Sequence, residues 1–378
     1  MRVCFVLRGR PGLGHVVPGA AIALAMAQRG HDVEVVTYGH GTPFLATVSD
    51  TLTVAQISVP EGYHDYPGLT IYDHGLRWLV PHLHQYPADL LILGGEYVLG
   101  MMSSLLSCPA AMIVNLEIFE DCPRNAEVAE FFHLAFRDIA GLVPLRPYKG
   151  GPIEPRLRMF LDRLAPPGPF RLQDVLSMDA TPSHDGRVVL IATGGGMSFP
   201  QSTTSYSEGA VSSERWRAQT YETVITAVQT ILRSCAPEDR VEVFGDLDPD
   251  TVLKRTGHDN RVRVQPPSAD YYRVLASANL AVLRAGAGAL ADLESFASAS
   301  VVWPLEGHDE QFQNAQHAAQ AFGSHIACEP QDVAKAVQDA MASVEYAEPS
   351  PRLTKHSTAD TPFEATCKYL ENLSQVVA

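Results

Sequence analysis

Short apolar runs alternate along the chain with glycine-rich turns and longer Ala/Leu-rich stretches. Val3-Cys4-Phe5-Val6-Leu7 is almost continuously hydrophobic, breaks into Gly9-Arg10-Pro11-Gly12-Leu13-Gly14, and gives way to Pro18 to Arg29, rich in Ala, Leu and Met. A run that short, bounded by glycine, reads as a strand buried on both faces, and the stretch after it as a helix. Gly30-His31 stops that helix and Asp32 to Thr37 supplies the next strand, which completes a βαβ unit. Further buried-strand candidates at Leu90 to Leu93 and Ala111 to Val114 make the first half an α/β domain with a mostly parallel sheet.

The pattern restarts at Arg187 to Ala192, which runs into Thr193-Gly194-Gly195-Gly196 and then a helix at about Glu214 to Cys235. Strands at Val241 to Phe244, Arg261 to Val264, Leu280 to Leu283 and Val301 to Trp303 alternate with helices, so the second half is doubly wound as well. Between the halves, Pro166-Pro167-Gly168-Pro169 and Thr181-Pro182-Ser183-His184-Asp185-Gly186 have the composition of a linker. The expected division is a first domain over 1–165, a linker over 166–186, a second domain over 187–360 and a last helix over 361–378 that could join either domain. The Ser/Thr-rich segment 197–213 has no period and follows a glycine turn at a strand end. A lid over bound substrate is the expectation there, and a surface insertion the alternative.

Composition agrees with two soluble domains. A chain of 378 residues exceeds the size at which one core keeps growing. With 46% apolar and 19% charged residues it has the make-up of a globular protein. A formal charge of −15 opposes a general surface for nucleic acid or anionic membrane. The longest hydrophobic region, Leu90 to Leu106, is interrupted by Gly94, Gly95, Glu96 and Gly100, so no stable membrane insertion is expected. Met1-Arg2 leads straight into a strand rather than a signal-peptide core. The six cysteines are scattered, with neither a CxxC pair nor a Cys/His cluster, and read as reduced thiols of a cytoplasmic protein.

Two turns carry candidate chemistry. In the second half, Arg284-Ala285-Gly286-Ala287-Gly288-Ala289 joins a strand to a helix: the glycines let the backbone approach an anion, and the alanines leave room for it. Asp292, a turn further on, would reach a ribose hydroxyl, and Glu310-Gln311 could both accept from and donate to sugar hydroxyls. The plainer readings are a close-packed turn and a well-capped helix start. In the first half, Gly12-Leu13-Gly14-His15 invites a dinucleotide reading that fails twice. Val17 stands at the third glycine position, and the second strand ends Val36-Thr37-Tyr38 without an acid for the ribose. What remains is His15 at a helix start, where the dipole favours a neutral ring able to take a proton. Asp246, Asp248 and Asp250 alternate as metal ligands sometimes do, but their place ahead of Val252-Leu253 suits helix capping, and no metal is expected.

Together these features resemble the GT-B glycosyltransferases, α/β proteins of two facing Rossmann-like doubly wound domains with an interdomain cleft. Gly12-Leu13-Gly14-His15-Val16-Val17-Pro18, Arg29-Gly30-His31-Asp32-Val33, Gly94-Gly95-Glu96-Tyr97-Val98 and Arg284 to Gly288 are similar to segments of the lipid II-forming peptidoglycan N-acetylglucosaminyltransferases and of bacterial natural-product glycosyltransferases. The resemblance implies a nucleotide-sugar donor, as a co-substrate rather than a cofactor, in the second domain and an acceptor in the first. It places Gly286, Ala287, Gly288 and Ala289 at the diphosphate, Asp292 at the ribose, and Glu310 and Gln311 at the donor sugar, with Arg284 in the same donor site. Gly194, Gly195 and Gly196 would line the cleft, and Pro267 and Ser268 would meet the base edge. The family usually has Glu where this chain has Asp292, and relatives using deoxythymidine diphosphate sugars often lack the acid. Its retention leans toward a UDP-sugar such as UDP-GlcNAc.

The expected reaction is direct, inverting displacement: His15 deprotonates an acceptor hydroxyl, with Glu117 or Asp121 as candidates to orient it, while amides near Gly286 stabilise the departing diphosphate. The acidic charge favours a soluble small-molecule acceptor, as in antibiotic biosynthesis. A lipid-linked diphosphate acceptor, a UDP-sugar 2-epimerase and a catalytically silent partner subunit are the alternatives.

Overall fold

The structure is a computed structural model, which describes residues 1–9, 12–56, 79–106, 108–148, 150–176, 186–194, 213–294, 296, 298–344 and 362–376. Gly195 and Gly196, the 197–212 part of the expected lid and the 177–185 part of the expected linker lie outside the described residues. The chain divides into two compact units. The first comprises Met1–Arg10, His15–Leu176 and His356–Ala378, and the second Pro11–Gly14 and Ser177–Lys355.

The first unit runs β1 (Arg2–Leu7), α1 (Val16–Gln28), β2 (Asp32–Thr37), α2 (Gly41–Leu45), β3 (Thr53–Gln56), α3 (Val80–Gln85), β4 (Leu90–Gly94), α4 (Tyr97–Gly100), β5 (Ala110–Val114), α5 (Pro123–Phe136) and β6 (Gly141–Pro144). Its six strands are parallel in the order β3-β2-β1-β4-β5-β6. The apolar runs behave as their composition dictates: β4 and β5 are buried along their whole length, with layers of helix covering them. β3 and β6 are absent from the sequence expectation. Thr53–Gln56 is a half-exposed edge strand, and Gly141–Pro144 is too short to show a period.

The second unit runs β7 (Val188–Ala192), α6 (Ser213–Ser234), β8 (Arg240–Phe244), α7 (Pro249–Arg255), β9 (Val262–Gln265), α8 (Asp270–Ser277), β10 (Leu280–Arg284), α9 (Ala287–Leu293), β11 (Ala299–Trp303), α10 (Asp309–Phe322), β12 (His325–Ile326) and α11 (Pro330–Ser343). Its strands are again parallel, in the order β12-β11-β10-β7-β8-β9. Asp248 caps α7 by accepting from the amide of Thr251 at 3.1 Å, which is the duty its spacing suggested.

The final helix, α12 (Pro362–Val376), belongs to the first unit. Leu370 and Phe363 are buried, each worth about 2 kcal/mol of burial. Arg29, just past α1, pairs with Glu364 at 2.6 Å and Glu371 at 2.8 Å, and His31 Nε2 lies 2.8 Å from Glu371. Residues 166–176 also pack on this unit. Although the segment is proline-rich, Phe170 and Leu172 are buried, and the Gln28 side chain donates to the carbonyl of Val175 at 2.8 Å. Apolar anchors therefore override the linker-like composition.

Candidate functional site

In a doubly wound sheet, ligands bind beyond the carboxyl ends of the strands where the strand order reverses. The reversal falls between β1 and β4 in the first unit and between β7 and β10 in the second. The candidate residues gather at both places.

In the first unit, Leu7 pairs with Gly94, so the segments leaving β1 and β4 emerge side by side. His15 stands at the N-cap of α1 with helical φ and ψ and makes no capping bond with its side chain. Its ring lies against Gly95, whose φ of +73° belongs to the left-handed region. Nδ1 of His15 is buried and, among the described residues, has no hydrogen-bond partner. Burial, assisted by the charge of Arg8, brings the pKa of His15 down to about 4, so the ring is neutral at ordinary pH. No hydrogen bond joins it to Glu117 or Asp121. Glu117 instead accepts from Asn115 Nδ2 at 3.2 Å, and exposed Asp121 gives its amide to Pro152 at 2.8 Å.

Two groups that the sequence reading did not use as chemistry stand beside the ring. Glu96 is 2% exposed and accepts from the Tyr38 hydroxyl at 2.7 Å. Burial raises its pKa against the opposing pull of Arg8 and Tyr38. Tyr97 presents its ring edge-on to His15 at 6.5 Å and meets Phe131 at 6.3 Å and Phe132 at 5.2 Å. Phe131 is 39% exposed, so an aromatic surface leads from solvent toward the imidazole. Only the GGEYV pattern could have announced this, since Phe131 is distant in sequence.

In the second unit, β10 ends at Arg284 and β7 runs into Thr193 and Gly194. The Arg284 guanidinium packs on Gly194, where a Cβ would come 2.7 Å from Nη2 and where φ is +76°. Among the described residues its buried Nη1 has no hydrogen-bond partner, and neither has the buried Oγ1 of Thr193. Burial pulls the Arg284 pKa down to about 10, and the side chain stays charged. A buried guanidinium nitrogen without a partner is costly, and an anion placed against it would lower that cost. Gly286 caps α9 in extended geometry, and a Cβ at Gly286 or Gly288 would meet nothing within 4 Å. Among the described residues, the space over this turn is open.

The other donor-side candidates are held more tightly than their sequence positions suggested. Asp292 is buried, and its Oδ2 accepts from the Tyr271 hydroxyl at 2.8 Å. Gln311 is also buried, with Oε1 accepting from the amide of Leu305 at 3.0 Å, so one end of its amide secures the turn before α10. Glu310 is partly exposed at the start of α10, and Asn314 reaches back to the carbonyl of Ala285 at 3.1 Å. Ser268, ahead of α8, gives its carbonyl to the amide of Tyr271 at 3.2 Å, and Pro267 has no N–H to offer a base.

The first turns of α6 support the 304–308 loop in a way no motif indicated. Arg215 pairs with Glu306 at 2.5 Å, Trp216 donates to the Glu306 carbonyl at 2.8 Å, and Gln219 bonds both Pro304 O at 3.2 Å and Glu306 N at 2.9 Å. These partners are more than 80 residues apart, beyond any local sequence signal.

Comparison with known proteins agrees with the fold. Residues 238–361 match the model of the glycosyltransferase family 28 C-terminal domain. No curated protein matches the chain in sequence. Among solved structures, UGT89C1 of Arabidopsis thaliana complexed with UDP-L-rhamnose is similar at a TM-score of 0.61 and 12% identity, covering 100% of this chain and 98% of that one. The spinosyn rhamnosyltransferase SpnG, also solved with thymidine diphosphate, has a TM-score of 0.57 at 14% identity, over 100% of this chain and 95% of its own. A putative UDP-N-acetylglucosamine 2-epimerase from Listeria monocytogenes has a TM-score of 0.57 at 11% identity, over 97% of this chain and 93% of that one. Among the described residues, no helix is long and apolar enough to cross a membrane. The chain has the GT-B fold, and residues 238–361 of its second half are similar to the glycosyltransferase family 28 C-terminal domain.

Proposed function

We propose that the protein transfers a sugar from a nucleoside diphosphate donor, held by the second unit, to a hydroxyl of a small-molecule acceptor, held by the first. The observation that carries this reading is the buried guanidinium nitrogen of Arg284, which has no partner among the described residues and packs on Gly194 beside the open Gly286–Gly288 turn. Such a site suits the charge that a diphosphate gains as it leaves.

His15 takes the proton of the acceptor hydroxyl, whose oxygen forms the bond to the anomeric carbon as the bond to the diphosphate oxygen breaks. Attack from the face opposite the leaving group inverts the configuration. The neutral, buried imidazole supports the base assignment. The aromatic surface of Tyr97, Phe131 and Phe132 supports an acceptor with an apolar, ring-bearing part. Proteins of similar fold bind UDP-L-rhamnose or thymidine diphosphate, so the preference for a UDP-sugar rests on Asp292 in this chain.

The test is a thermal-shift screen of UDP, dTDP and GDP sugars, followed by a transfer assay with the donor that stabilises the fold. Stabilisation by a UDP-sugar and transfer that depends on an added hydroxylated acceptor are expected. Isomerisation of UDP-GlcNAc without any acceptor would make the protein a 2-epimerase instead.

A further inference from the structure

The carboxylate assigned to the ribose does not stand alone. Asp292, in the second turn of α9, is 7% exposed and already accepts the Tyr271 hydroxyl at 2.8 Å. Tyr271 opens α8 and is partly exposed. Its ring meets Phe244, the last residue of β8, edge-on at 5.9 Å, and Tyr272 at 4.9 Å. The ring therefore stands at the carboxyl end of the sheet, the side on which ligands bind.

The Asp292 side chain is short, and its carboxylate is already engaged by the phenol that stands in front of it in the bond. A phenol that gives its proton to a carboxylate keeps its oxygen lone pairs, and the bond polarises that oxygen toward accepting. Among the described residues, the Tyr271 hydroxyl makes this one hydrogen bond. We propose that Tyr271 is a specificity-determining residue: with its proton committed to Asp292, its phenolic oxygen accepts from the ribose 2′-hydroxyl of the donor, relaying the carboxylate by one hydrogen bond. This rests on the donor-site reading above. Burial and the charge of Asp292 hold the Tyr271 pKa well above its ordinary range, which keeps the phenol protonated and fixes it as the donor in the pair.

Calorimetric titration of UDP and 2′-deoxy-UDP separates the possibilities. The wild type is expected to bind UDP roughly tenfold more tightly than 2′-deoxy-UDP, the scale of one hydrogen bond to an ionised network. Tyr271→Phe is expected to weaken UDP alone, so that the two nucleotides bind equally. Adding Asp292→Glu to Tyr271→Phe is expected to restore the preference, because the longer side chain reaches the hydroxyl itself. Equal weakening of both nucleotides by Tyr271→Phe would make the residue structural and overturn the inference. A wild type that binds both nucleotides equally leaves the donor site standing and removes the role of Tyr271, a result that needs no variant to fold. A wild type that binds neither removes the donor-site reading and this inference with it.

Discussion

The imidazole of His15 lies directly against the α-carbon of Gly95: a methyl group there would come within 2.4 Å of Cδ2 and 2.8 Å of Nε2. Gly95→Ala therefore forces the ring to move and places a side chain on a left-handed residue, at a cost of about 1–2 kcal/mol. Misplacement of a base by about 1 Å lowers turnover on the order of 100-fold. The expected result is a cooperatively folding variant with donor affinity preserved and turnover lost. Full turnover in Gly95→Ala would take His15 out of the reaction.

Arg284→Met separates binding from stability. It removes a cation whose buried Nη1 has no partner among the described residues, so the melting temperature of the free protein should stay level or rise. UDP affinity should fall about 10- to 100-fold, because charge-assisted bonds to the diphosphate are lost. Calorimetry and thermal melts with and without UDP read the two effects apart, and unaltered affinity would remove Arg284 from the donor site.

The pH dependence of kcat/KM follows from the burial of His15. With its pKa lowered to about 4, the ring is the unprotonated base at all higher pH, and activity is lost as pH falls through that value. An acid limb near the ordinary histidine value of 6.5 would show a solvated ring and contradict the packing against Gly95.

The C-terminal helix should respond to acid by a different group. The hydrogen bond from Arg29, reinforced by His31 and opposed by burial, holds Glu371 down to about 2 from its ordinary 4.5. A carboxylate depressed in the folded state contributes fully above the unfolded value and loses that contribution as pH falls from about 4.5 through about 2. Arg29→Ala should cost about 1 kcal/mol at neutral pH, given the partial exposure of the pair, and should flatten the acid dependence of stability. Denaturant melts at pH 7 and pH 3 provide the check.

What the chain order alone determined is the architecture. Buried parallel strands leave uninterrupted apolar runs such as Val3 to Leu7 and Leu280 to Leu283, and the turns after them must be small, so both sheets and the glycine turns at their carboxyl ends were legible. Edge strands such as Thr53–Gln56, half in solvent, leave no such mark. His15 and Arg284 were legible as candidates because each adjoins a glycine-bearing turn. Their state was decided by tertiary structure: burial and Arg8 lower the basicity of His15, while Arg284 packs on Gly194 with its Nη1 unpartnered among the described residues. The Tyr271–Asp292 bond, the Glu96–Tyr38 pair and the hold of Trp216 and Gln219 on the 304–308 loop came only with the fold. Hydrogen bonds and desolvation depend on which side chains meet across the sheet, and a residue's neighbours in sequence say little about that. A strand's burial, by contrast, is written in its own composition.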